Sequence, residues 1–106
     1  MPGLSDRTWK MVQKMFSARQ QEEVRQLLEE DCGNNLPFCE NLDEVGLERV
    51  RFAVLKLSNG RLDALRRAIQ EAQRDWRDTF MAAGFGFDVT EHNRWADKYL
   101  SHDTRD

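Results

Sequence analysis

The chain is poor in chain breakers. Its 106 residues include two prolines and six glycines, and these fall at plausible joints between elements. Long segments are therefore free to be helical. No apolar run approaches the ~20 residues a membrane-spanning helix needs, which excludes a membrane protein of that kind. Neither sign of charge dominates: 16 basic and 19 acidic residues give a net charge of −3. That mild balance argues against a general affinity for nucleic acid or acidic membranes, though not against a local basic patch. Cysteine is scarce, with two in the chain. The first residues, MPGLSDRTWKMV, lack the basic region and apolar segment of a signal peptide. Both facts predict a reduced, cytoplasmic protein. There are no internal repeats and no low-complexity tract.

What is present is a core. Hydrophobic residues make up 40% of the chain and charged residues 33%, with three Trp and six Phe to give bulk. One domain over residues 1–106 is expected, burying roughly 65% of its unfolded surface. The clearest element lies between Ser58 and Gly86. Leu62, Leu65, Ile69, Ala72, Trp76, Phe80 and Ala83 recur at spacings of three and four, in an arc roughly 80° wide. This pattern predicts one long amphipathic helix. Asp63–Arg67 and Glu71–Arg74 are spaced for ion pairs on its opposite face. Asn59-Gly60 breaks it from the preceding helix, and Gly84 suits a left-handed C-cap.

Shorter helices precede and follow. Ser5 can cap a first helix over about Asp6 to Phe16, carrying Trp9, Met11, Val12, Met15 and Phe16. Ser17, with Gln20 three residues on, reads as the capping box of a second helix that buries Val24, Leu27 and Leu28 and ends at Gly33. A third helix runs from Asp43 or Glu44 to Leu57. Its apolar residues nearly encircle the axis, which marks a central helix. The run VRFAVLKL also alternates like a strand, but no other segment offers it a partner. Thr90 caps a last helix, about Glu91 to Leu100, presenting Trp95, Ala96 and Tyr99. Phe85 and Phe87 pin that helix to the rest. Residues 1–4 and 101–106 read as frayed tails. The expected fold is all-α, a single compact bundle of about five helices, with the third and fourth at its centre.

The residues LKLSNG (Leu55 to Gly60), Asp75-Trp76-Arg77-Asp78, Ala82-Ala83-Gly84-Phe85 and Cys32-Gly33-Asn34-Asn35-Leu36-Pro37 resemble a pattern in small bacterial proteins of unknown function. There a helix ending in a similar LKLS-x-G turn is followed by a helix carrying DWRD. The resemblance covers about Leu27 to Trp95 and implies a bacterial cytosolic helical protein. It brings no activity, cofactor or catalytic residue.

Several clusters carry chemistry on paper. Asp75 and Arg77 flank the long helix's stripe and could border a groove, whereas Asp78 pairs with Arg74 at the surface. Glu44 and Glu48 share a face of the third helix. With Asp75 and Asp78 they loosely resemble the acidic quartet of all-helical nucleotide pyrophosphohydrolases, which holds Mg²⁺ against phosphates. Those enzymes carry a denser Glu-Glu pair and a basic phosphate partner in set places, and neither stands out in this chain. Cys32 and Cys39 are too widely spaced for a structural zinc site, with His92 and His102 ten residues apart, so free thiols are expected. Gly84-Phe85-Gly86 follows a helix rather than a strand and reads as a turn, not a phosphate cradle. His92, beside Glu91, reads as a lone surface histidine without a nucleophile. The arginines Arg61, Arg66, Arg67, Arg74 and Arg77 are interleaved with acids, so no phosphate track forms.

The first helix has more apolar surface than one face can bury, and methionine-rich edges adapt well to partners. The leading expectation is a non-enzymatic interaction or adaptor protein that docks a protein partner, or itself. Trp9, Met11 and Met15 would be buried at the contact, with Asp75 and Arg77 setting register. The alternative is a divalent-metal phosphate-ester or nucleotide hydrolase using Glu44, Glu48, Asp75 and Asp78, and the third reading is a nucleic-acid-binding domain. No cofactor is expected.

Overall fold

The computed structural model describes residues 4–32, 44–85 and 90–103, apart from the side chains of 44, 45, 76 and 101–103. Every element among the described residues is helical: α1 (Asp6–Met15), α2 (Ala18–Glu30), α3 (Glu44–Ser58), α4 (Leu62–Ala83) and α5 (Glu91–Asp103). No helix among them is long and apolar enough to cross a membrane.

The helix ends follow from local chemistry. The Ser5 hydroxyl accepts the Thr8 N–H at 3.2 Å and caps α1. Phe16 and Ser17 are both extended, which makes a tight corner into α2. The expected capping box does not form. The Ser17 hydroxyl makes no cap bond, and its carbonyl instead accepts the N–H groups of Gln20 and Gln21. The Gln21 side chain, not that of Gln20, reaches back and donates to the Phe16 carbonyl at 3.1 Å. Gly33, the expected end of α2, lies outside the described residues. The end of α2 is covered by Arg51 of α3, which is only 6% exposed. Its Nε donates to the carbonyls of Leu28 and Cys32, both at 3.2 Å. The Leu28 carbonyl is among the acceptors that a helix end leaves without an intrahelical partner, and that of Cys32 lies just beyond the cap.

The segment VRFAVLKL is helical, as expected. Val50 through Leu55 are all buried, so α3 is covered on every side. It packs against α1, α4 and α5, and α4 also packs against α2. The LKLSNG turn ends α3 with Asn59 at φ 56° and Gly60 at φ 78°. The Ser58 hydroxyl donates to the Leu55 carbonyl at 2.6 Å and accepts the Gly60 N–H at 3.2 Å. A Cβ at position 60 would sit 2.9 Å from the Met15 carbonyl oxygen. Glycine is thus required twice over, by its backbone angle and by the approach of α1.

The long fourth helix is not continuous. At Asp75 the backbone leaves helical geometry (φ −159°, ψ 98°), and the Asp75 Oδ1 accepts the Arg77 N–H at 3.0 Å. That is the geometry of an N-cap, so Asp75 ends one helical segment and starts another. The second segment returns along α3. Phe80 lies under the Arg49 guanidinium, 4.2 Å from ring centroid to Cζ. The Lys56 Nζ donates to the Ala83 carbonyl at 2.7 Å. It closes with Gly84 at φ 83°, with Phe85 N–H bonded to the Phe80 carbonyl and Gly84 N–H to that of Met81. This paired pattern is a Schellman motif. The expected Asp63–Arg67 and Arg74–Asp78 pairs are not formed among the described residues. Asp63 meets Arg61 at 3.7 Å instead, and Glu71 and Arg74 pair as expected at 3.4 Å.

The last helix continues to Asp103, past the expected end at Leu100. His92 is a correction. It is 1% exposed, with its ring 5.9 Å from Phe52 and 6.3 Å from Phe85. His92, Trp95, Ala96 and Tyr99 form one face of α5, and that face meets the core.

Candidate functional site

Among the described residues, the densest polar cluster joins the first turn of α1 to the starts of α3 and α5. Arg7 Nη2 donates to Glu48 Oε2 at 2.9 Å and also to Asn93 Oδ1, while Nη1 reaches Asp97 at 3.4 Å. Ser5 Oγ donates to Glu48 Oε1, and Thr8 Oγ1 lies 3.4 Å from the same oxygen. The guanidinium sits 5.4 Å above the Phe52 ring. Burial pushes the Glu48 carboxyl up. The hydrogen bonds from Ser5 and Arg7, and the Arg7 charge, outweigh that and hold it below its ordinary value. A carboxylate held ionised and occupied in this way is a poor general acid and has little lone-pair capacity left for a metal. Its work is to tie α3 to α1, and Arg7 carries the link on to α5. Sequence spacing offers no signal for it, because Arg7 and Glu48 are 41 residues apart.

The three described members of the acidic quartet do not come together. Glu48 is bound to Arg7, Asp75 caps a backbone N–H, and Asp78 lies exposed in the turn that follows. The Glu44 side chain is outside the described residues. Among the described residues, no three His, Cys, Asp or Glu side chains converge to hold a metal. Cys32 is a free, buried thiol. Burial pushes it up to about 12, with a smaller opposing effect from the Arg51 charge. It stays protonated at neutral pH, and so is neither a nucleophile nor a ready metal ligand. Cys39 lies outside the described residues.

The expected contact surface is divided. Met11 is fully buried, a correction to its expected place at a partner. The reason is that α1 packs against α2, α3 and α5 and is covered on more than one side. Trp9 and Met15 are partly buried against the core. Asp75 and Arg77 are exposed on α4, which does not form a packed pair with α1, so the five residues do not surround one groove.

What Trp9 does line is a groove of about 480 Å³ between α1 and α2. Leu4 and Trp9 supply its apolar part. Asp6 of α1 and Glu22, Arg25 and Glu29 of α2 supply its rim. Arg25 bridges the two glutamates, lying 3.5 Å from Glu29 and bonded to Glu22 through two nitrogens. These contacts raise the Arg25 pKa, the Glu22 hydrogen bond first and its charge next. With three carboxylates and one guanidinium, the rim is net negative. Glu22, Arg25 and Glu29 recur at three and four along α2, a face that the sequence displays but that solvation alone explains equally well.

Compared with known proteins, the chain matches no family model, no curated protein and no solved structure.

Proposed function

We propose that this chain is a small, non-enzymatic protein-binding module of the bacterial cytoplasm, a single helical bundle that docks a basic, apolar peptide segment in the α1–α2 groove. The observation that carries the reading is Trp9, a large aromatic side chain left partly open in a groove whose rim is acidic. Aromatic anchors with a polar rim are the usual anatomy of protein contacts. The negative rim would attract lysine and arginine beside an apolar anchor and repel phosphate backbones, so it disfavours the nucleic-acid reading. No comparable observation favours a metal-dependent hydrolase.

Peptide display against the full chain tests this. Selected sequences should pair an apolar anchor with lysine or arginine. Trp9→Ala should weaken their binding about 30-fold, the loss of ~2 kcal/mol expected at an aromatic hot spot, without changing the helical content. Selection of acidic or purely apolar peptides, or equal binding to the Trp9→Ala variant, would refute it.

A further inference from the structure

The break at Asp75 creates a second concavity, independent of the α1–α2 groove. A cleft of about 310 Å³ is lined by residues from both segments of α4 and by the end of α3. Ala64 and Ala82 both line it. On a straight helix they would lie about 27 Å apart at 1.5 Å per residue, so only the fold-back brings them to one site. The walls are apolar and small-sided: Leu57, Ala64, Ala68 and Ala82. Leu57 is one of the two large hydrophobic residues left exposed among the described residues.

The polar groups are few and mostly unspent. Thr79 lines the cleft and is 3% exposed, yet its Oγ1 is buried without a hydrogen-bond partner. A buried hydroxyl left unsatisfied destabilises the fold that carries it, and so calls for a reason. Arg67, from the first segment, and Asp78, from the second, both line the cleft and form no ion pair among the described residues. Glu71, also at the rim, holds only an exposed 3.4 Å contact with Arg74, a kind of pair that contributes little.

We propose that this cleft binds a small apolar α-amino acid, or an equivalent compact zwitterion. Its volume is at the low end of small-molecule sites, roughly 300–1,000 Å³, which suits a ligand of amino-acid size rather than a nucleotide. The ligand carboxylate meets Arg67, its ammonium meets Asp78 with Glu71 nearby, the Thr79 hydroxyl gains its missing partner, and the aliphatic side chain covers Leu57 and the alanines. A simple cation would leave Arg67 opposed, and a simple anion would leave Asp78 opposed. The zwitterion uses both.

Leucine and its two singly charged analogues, isoamylamine and isocaproate, are the probes. Each is titrated into the full-length chain and followed by calorimetry and melting temperature. Leucine should bind saturably at millimolar concentration or better, and each analogue should bind about tenfold more weakly, the value of one lost charge-assisted contact. Thr79→Val should raise the melting temperature of the free protein, because it removes the unsatisfied hydroxyl, and should weaken leucine binding about fivefold or more. Arg67→Gln should abolish the preference for leucine over isoamylamine. Equal binding of leucine and isoamylamine, no saturable binding of any probe, or unchanged leucine binding in Thr79→Val would each overturn the assignment.

Discussion

Replacing Asp75 with alanine changes stability in opposite directions depending on whether α4 is broken or continuous. In the structure Asp75 has extended backbone angles, and its carboxylate caps the Arg77 N–H at 3.0 Å. Removing an N-cap acceptor costs about 1 kcal/mol, within a range of roughly 0.5–2. The lost negative charge at a helix N-terminus adds about 0.3–1 kcal/mol at an exposed site. The melting temperature should therefore fall by about 5–15 °C, since ~1 kcal/mol moves a domain near this size by roughly 4–8 °C. Asparagine keeps the acceptor but loses the charge, so Asp75→Asn should lie between the parent and Asp75→Ala. Were α4 one straight helix, position 75 would be an exposed interior site. Alanine would then stabilise it by about 0.5 kcal/mol over aspartate, and the melting temperature would rise. Thermal unfolding followed by circular dichroism, with all three proteins at one low concentration, decides the matter. A melting temperature for Asp75→Ala at or above the parent would refute the break.

Two further perturbations test other joints. Glu48 titrates below its ordinary value of 4.5 in the folded protein. Its contribution to stability is thus fully present above that value and is lost as pH falls through the lower, folded one. The urea midpoint should decline below about pH 4.5 in the parent, and Glu48→Gln should be less stable at pH 7 yet show a shallower acid decline. Gly60→Ala should destabilise by about 1–3 kcal/mol, because the left-handed angle and the 2.9 Å approach to the Met15 carbonyl act together. A denaturant midpoint equal to the parent's would contradict that packing.

Much of the helical layout was legible because caps and turns are local. Ser5, the Asn59-Gly60 pair and Gly84 each end or begin a helix through contacts within a few residues, and all three signals agree with the structure. The encircling apolar residues of α3 likewise identify a buried helix without any knowledge of its neighbours. The break at Asp75 was hidden by the same kind of pattern. The apolar stripe stays in helical phase from Leu62 to Ala83, so periodicity reports continuity even where the axis turns back. The clue lay in Asp-Trp-Arg-Asp, which has an acid at the cap and another three residues on. That pattern also describes an ordinary solvated helix edge. Arg7–Glu48 and the burial of His92 and Met11 depend on which helices meet. Residues 41 positions apart carry no mark of that meeting, and a histidine in a first turn reads as exposed until the aromatic rings of Phe52 and Phe85 close over it.

The single extended residue in α4 also decides what the second half of that helix can cover. With Asp75 bent, Phe80, Ala83 and Phe85 bury themselves against the α3 of their own molecule. If the hinge straightened, the 22 residues of α4 would form a rod about 33 Å long. The distal end of that rod could no longer reach its own α3. One carboxylate holding one N–H thus helps keep the second segment of α4 on the core of its own chain.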